Sequence, residues 1–148
     1  MFNFKLDIVT PERVIFSGHV DAVNAPGIEG ELGILPHHCS LVTLLQPGEV
    51  AIKQADEETL IAIAGGFLEV RPDRIIILAD VADRDDEVDA SKAEEAKRQA
   101  EKALGDNQIS EIDKVKTEAA LRHAIACLKI VEKRKRKIYS NHMSLLQK

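Results

Sequence analysis

A chain of 148 residues, 45% hydrophobic and 30% charged, has room for one ordinary domain or a small domain with an appendage. That balance excludes a disordered polymer, and no run approaches the roughly 18 consecutive apolar residues a membrane span requires. The net charge of -5 is unevenly spread: residues 1–85 hold six Lys/Arg against fourteen Asp/Glu, whereas residues 114–148 hold ten against two, so an acidic body carries a basic end.

Phe2-Asn3-Phe4-Lys5-Leu6-Asp7-Ile8 alternates with period two and reads as a strand, not as the unbroken apolar block of a signal peptide. Val50 to Lys53, Leu60 to Ala64 and Ile75 to Ala79 continue the pattern of short, β-branched runs. Turn signals stand between them at Thr10-Pro11, Pro26-Gly27, Gln46-Pro47-Gly48, Asp56-Glu57-Glu58 and Arg71-Pro72-Asp73. Strands this short and this closely spaced predict an antiparallel β-sandwich or barrel over residues 1–85 rather than βαβ units. Glycines inside apolar runs, at Gly30, Gly33, Gly65 and Gly66, mark bulges or the close approach of another backbone. A sandwich pressed against partner subunits is expected to use such positions.

From Asp85-Asp86-Glu87 the composition changes. Ala93, Ala96, Ala100, Ala103 and Leu104 recur at helical spacing, with Asp89 placed as N-cap and Gly105-Asp106-Asn107 as the stop. Ser110-Glu111-Ile112-Asp113 resembles a capping box, after which Leu121, Ala124, Ile125, Leu128 and Val131 form an apolar stripe. Residues 86–148 are therefore expected to hold an antiparallel helical hairpin to about residue 139 and a frayed tail beyond. The first helix's seam is nearly all alanine, and about five buried methyls at about 0.8 kcal/mol each contribute about 4 kcal/mol. Ordering each backbone residue costs about 1–2 kcal/mol, so such a hairpin needs a partner surface and is held loosely.

Candidate chemistry is sparse. His37-His38-Cys39 holds ligand-type side chains, but neighbours on a strand point to opposite faces, and no metal site is expected there. The chain has no Gly-x-x-x-x-Gly-Lys-Ser/Thr loop and no nucleophile elbow, so no catalytic residues are assigned. Cys39 and Cys127 lie in regions of different character and suggest no disulfide framework, which fits a reducing cytoplasm. The basic run from Lys133 to Lys137 complements a helix C-terminus. As a nucleic-acid arm it would want aromatic stacking groups, yet only Tyr139 is near.

Four strings in order, GELGILPHH, LLQPGEV, GGFLEV and ILADVADRDDEVD, resemble the epsilon subunit of bacterial F-type ATP synthases, and the similarity runs from about Leu6 to about Val131. The resemblance implies about ten strands and a non-catalytic rotor subunit that couples gamma to the c ring and inhibits ATP hydrolysis through mobile C-terminal helices. It implies a peripheral place on the cytoplasmic face of the bacterial inner membrane, without insertion into it. By the same resemblance Glu29, Gly30 and Glu31 face the c ring, and His38, Cys39, Ser40 and Thr43 face gamma. Arg122, Lys129, Lys133, Arg134, Lys135, Arg136 and Lys137 form an inhibitory basic helix that meets beta and alpha subunits transiently.

Many relatives in that family bind ATP through an Ile/Leu-Asp-x-x-Arg-Ala motif and second-helix arginines. Here the motif reads Val88-Asp89-Ala90-Ser91-Lys92-Ala93, and His123 and Cys127 stand in place of the arginines. Asp83, Asp89 and Lys92 are the nucleotide-binding candidates, and weak ATP binding or none is expected, because lysine lacks arginine's bidentate fork. No other cofactor is implied. Two rival readings are an independent small ATP sensor and a nucleic-acid-binding β-domain with a basic helical arm. The acidic body argues against the second.

Overall fold

A computed structural model of the chain describes residues 3–36 and 39–147. Its first part is built from ten strands: β1 (Phe4–Val9), β2 (Val14–Val20), β3 (Ala22–Gly27), β4 (Gly30–Ile34), β5 (Leu41–Leu45), β6 (Gly48–Gln54), β7 (Glu57–Ile63), β8 (Gly66–Val70), β9 (Arg74–Ala79) and β10 (Ala82–Arg84). They hydrogen-bond in the order β10-β7-β6-β3-β5-β8-β9-β1-β2, with β4 paired to β3. The period-two pattern of β1 sends Phe4, Leu6 and Ile8 inward. There they meet Val23, Ile52, Ile61, Leu68 and Ile77 in one continuous core. The fold is the expected sandwich followed by two helices, α1 (Ala90–Leu104) and α2 (Glu111–Leu146).

Several local expectations shift. The sheet is antiparallel except for β1 beside β9, which run parallel; 64 residues of chain separate Val9 from Arg74, enough for the crossover a parallel pair demands. Pro26-Gly27 is the end of β3 and not a turn: Pro26 pairs with Glu31, and its carbonyl accepts from the Gln46 amide at 2.9 Å. The chain reverses at Ile28-Glu29 instead. The β6–β7 reversal falls on Ala55-Asp56, one residue ahead of the expected acidic triplet's start, and Glu57 and Glu58 belong to β7; Ala55 takes a left-handed φ of 53°, and its amide donates to Asp21 Oδ2 at 2.6 Å. Gly105 stops α1 without left-handed backbone, at φ -79°. The expected frayed tail is helical through Leu146, because no Gly or Pro interrupts residues 139–146.

The close approach foreseen at the glycines is real at Gly66, but its cause is internal. A Cβ there would lie 2.2 Å from Leu78 O and 2.9 Å from Ala79 Cα, both backbone atoms of the neighbouring β9. The sheet itself demands this glycine, not a partner subunit. Gly66→Ala must push two central strands apart, and overpacking of this kind typically costs about 1–3 kcal/mol. A thermal melt of the variant should show a clear loss of midpoint, whereas Gly105→Ala, at φ -79° where a new Cβ would meet nothing nearer than 3.5 Å, should change far less.

Candidate functional site

The hairpin lies against the sandwich. Asp89 caps α1, its Oδ1 accepting from the Ser91 amide at 2.9 Å, and Ser110 Oγ caps α2 by accepting from Asp113 N at 3.1 Å. At 15 and 36 residues the helices differ in length, so α2 overshoots α1. A second, smaller core joins them to the sheet: Leu60 and Ala62 of β7 meet Val88, Ala93, Ala126, Cys127, Ile130 and Val131. Ile130 is fully buried and is the largest α2 side chain in that seam, which is otherwise mostly small.

Charge organises the rim. Lys133 Nζ donates to Glu49 Oε1 at 2.7 Å, and the Arg134 guanidinium donates to the Asp85 carbonyl. Asp56, Glu58, Asp85 and Asp86 share a cleft with Lys133, Arg134 and Lys137. The basic end thus meets the acidic body of its own chain. Arg122, Lys129 and Lys133 line a second cleft together with Glu31 and Glu49. Arg136 pairs with Glu132 at 2.7 Å, and Lys135 and Lys137 are exposed.

A cavity of ≈ 480 Å³ opens between the two helices and β10, lined among others by Val81, Asp83, Asp89, Lys92, His123 and Cys127. The three nucleotide-binding candidates therefore share one site, and His123 and Cys127, one helical turn apart, face it from α2. Arg122 lines the other cleft instead. His123 Nε2 and Asp83 Oδ2 are 3.0 Å apart. Cys127 Sγ stands 3.7 Å from His123 Nε2 and 4.0 Å from Asp83 Oδ2. The other ring nitrogen, His123 Nδ1, is buried without a hydrogen-bond partner among the described residues. Burial, and then the neighbouring Asp83 carboxylate, push the Cys127 thiol up to about 11.

The cavity's acids are already engaged. Asp89 serves backbone amides as the cap. Glu87, also in the lining, is held by Arg13 through contacts of 2.5 and 3.2 Å, and that hydrogen bond keeps its carboxyl below the usual range. Against three carboxylates the lining offers one lysine, Lys92. Such a balance disfavours a polyphosphate and suits a cation.

The remaining candidates are scattered on the surface. Glu29, Gly30 and Glu31 are exposed at the β3–β4 reversal, where Gly30 has φ +135°. His38 lies outside the described residues, Cys39 and Ser40 are exposed ahead of β5, and Thr43 is half-buried on it. Sequence reasoning missed the larger feature beside them. Val42 (70% exposed), Leu44 (43%), Phe67 (54%) and Leu78 (52%) emerge from β5, β8 and β9. Leu44 pairs with Phe67 and Phe67 with Leu78, so three of the four form one cross-strand row. The available signal was that Leu41 to Leu45 and Ile75 to Ala79 are apolar at every position but one, as in strands covered on both faces.

Comparison with known proteins agrees with this architecture. Residues 3–85 match the "ATP synthase, Delta/Epsilon chain, beta-sandwich domain" family and residues 86–132 the "long alpha-helix domain" of the same chain. An ATP synthase epsilon chain of Dehalococcoides mccartyi is 52% identical over 136 residues, covering 92% of this chain and 97% of that one. The epsilon chain of Desulforamulus reducens is 48% identical over 128 residues, 86% of this chain and 96% of the relative. A chain in the Euglena gracilis mitochondrial ATP synthase OSCP/F1/c-ring structure shares the fold, with a TM-score of 0.70 at 24% identity over 82% of this chain and 77% of its own. With matched segments spanning nearly its whole length, the chain belongs to the ATP synthase delta/epsilon chain family.

Proposed function

We propose that this chain is a non-catalytic central-stalk subunit of a proton-translocating F-type ATP synthase, coupling gamma to the c ring and restraining ATP hydrolysis with its C-terminal helices. The observation that carries the reading is the exposed apolar row of Leu44, Phe67 and Leu78, with Val42 beside it, on strands where α2 makes no substantial contact. A face this apolar on a folded domain marks a protein interface. It adjoins Cys39 and Ser40, so gamma is assigned to this side of the sandwich; Thr43, paired with buried Leu68, alternates to the other face of β5. The acidic reversal at Glu29, Gly30 and Glu31 is assigned to basic loops of the c ring.

The hairpin is the brake. Docked on its own sandwich, it places Lys133 and Arg134 against acidic groups of the same chain. An acidic segment of the beta and alpha subunits offers the same residues, with Arg122, Lys129, Lys135, Arg136 and Lys137, an equivalent exchange, so small affinity differences select the state. ATP is at most a weak regulatory ligand, given the acidic lining around Asp83, Asp89 and Lys92. Among the described residues no helix is long and apolar enough to cross a membrane. In this reading the subunit sits peripherally, at the cytoplasmic face of a bacterial inner membrane, held there by its partners.

Enzyme reassembled with a chain ending at Asp85 should hydrolyse ATP several-fold faster than enzyme with the full chain, while proton pumping stays coupled. Equal rates would remove the brake from this reading and leave the stalk role.

A further inference from the structure

We propose that Asp83, His123 and Cys127 form a binding site for a borderline-soft divalent cation of the zinc class, which clips α2 to β10. The three ligand atoms all lie within 4.8 Å of one another. Tetrahedral zinc with bonds of about 2.3 Å to sulfur and about 2.0–2.2 Å to nitrogen and oxygen sets its ligands about 3.3–3.6 Å apart. The observed separations of 3.0, 3.7 and 4.0 Å bracket that range. Side-chain adjustments of about half an ångström suffice to close the triangle on an ion.

The chemistry is as selective as the spacing. A thiolate, an imidazole nitrogen and one carboxylate oxygen suit zinc and cobalt, whereas magnesium and calcium require oxygen ligands. On binding, Cys127 gives its proton to solvent, His123 offers a neutral Nε2, and the carboxylate and thiolate charges balance the ion. Lys92 is a cation in the same lining, while Glu87 is already paired with Arg13 and Asp89 caps α1. The side chain of Asp83 is 38% exposed and that of His123 17%, so an ion reaches them through the cavity and keeps its fourth position for water. His123 Nδ1 lacks a supporting acceptor among the described residues, which lowers affinity by about 10–100-fold relative to fully supported sites.

Asp83 belongs to the sandwich and the other two ligands to the hairpin, so the ion stabilises the docked arrangement. At a hundred times Kd the docked population rises about 100-fold relative to any state in which the ligands are parted. The site itself does not depend on the rotor reading; it is tested on the isolated full chain.

Cobalt alone is added to chelator-treated protein, followed by zinc. One cobalt per chain should give the intense visible bands of tetrahedral coordination and a near-ultraviolet thiolate charge-transfer band, both abolished by zinc. Zinc should also slow amide exchange across residues 120–131 at least tenfold. Cys127→Ser should erase the thiolate band, and Asp83→Asn should weaken binding by about 100-fold, each with an unchanged far-ultraviolet spectrum. Cys39→Ser should leave every signal in place. A six-coordinate cobalt spectrum, a thiolate band that survives Cys127→Ser, or one lost with Cys39→Ser would each overturn the site.

Discussion

Ile130→Asp is expected to detach the helical hairpin while leaving the sandwich folded. Ile130 is fully buried among Leu60, Ala62, Val88, Ala126 and Val131. Removing a buried aliphatic side chain of this size costs about 2–5 kcal/mol even when alanine replaces it. A carboxylate adds the penalty of an unpaired charge in apolar surroundings. The neighbours that would have to absorb that loss are mostly alanine and valine, and the rim adds an exposed Lys133–Glu49 pair worth about 0–1 kcal/mol and a part-buried hydrogen bond from Arg134 to the Asp85 carbonyl worth about 1.5–3 kcal/mol. Amide exchange in α1 and α2 should therefore accelerate by about 100-fold or more, the equivalent of about 2.7 kcal/mol. Amides of Leu6 and Ile77 in the β core should keep their protection. Ile138→Asp, at a position 63% exposed, is the matched control and should do nothing. Uniform loss of protection throughout the chain would mean that hairpin and sandwich unfold as one unit, and the loosely held hairpin would have to be abandoned.

The same seam shows what the sequence could and could not convey. Alanines at helical spacing and the caps at Asp89 and Ser110 were legible, because both are local patterns with a fixed physical cause. The alternation in β1 was legible for the same reason. What lay beyond reach was long-range. Nothing in the spacing of Asp83 and His123, forty residues apart, says that β10 and α2 bring them to 3.0 Å. Adjacent ligand-type residues, as at His37-His38-Cys39, are visible in a sequence, whereas the convergent set is assembled only by the docked helix. Turn positions slipped by one or two residues because proline and glycine are tolerated at strand ends as well as in loops. α2 runs past its expected end near residue 139 for a related reason: a polar, basic segment looks like a tail, but without a helix breaker it continues the helix.

The apolar row on β5, β8 and β9 carries the second large effect. Phe67→Asp should leave the isolated chain folded, because Phe67 is 54% exposed and its removal opens no cavity in the core. Its midpoint of unfolding should move by no more than a few degrees. Association with gamma, or retention in the purified ATP synthase, should fall by about 100-fold or more. A buried aromatic at the centre of an interface is worth about 2 kcal/mol or more when truncated, and an unpaired carboxylate left in the closed interface adds to that. Leu44 and Leu78 flank Phe67 across both strand pairings, so the introduced charge would sit in the middle of the row rather than at its wet edge. Val115→Asp places the same charge on another exposed apolar side chain, 65% accessible near the start of α2, which makes no substantial contact with β5, β8 or β9, and should leave association intact. Equal retention of the Phe67 and Val115 variants would show that gamma binds elsewhere, and the stalk-facing side of the sandwich would then have to be sought at the Glu29–Glu31 reversal.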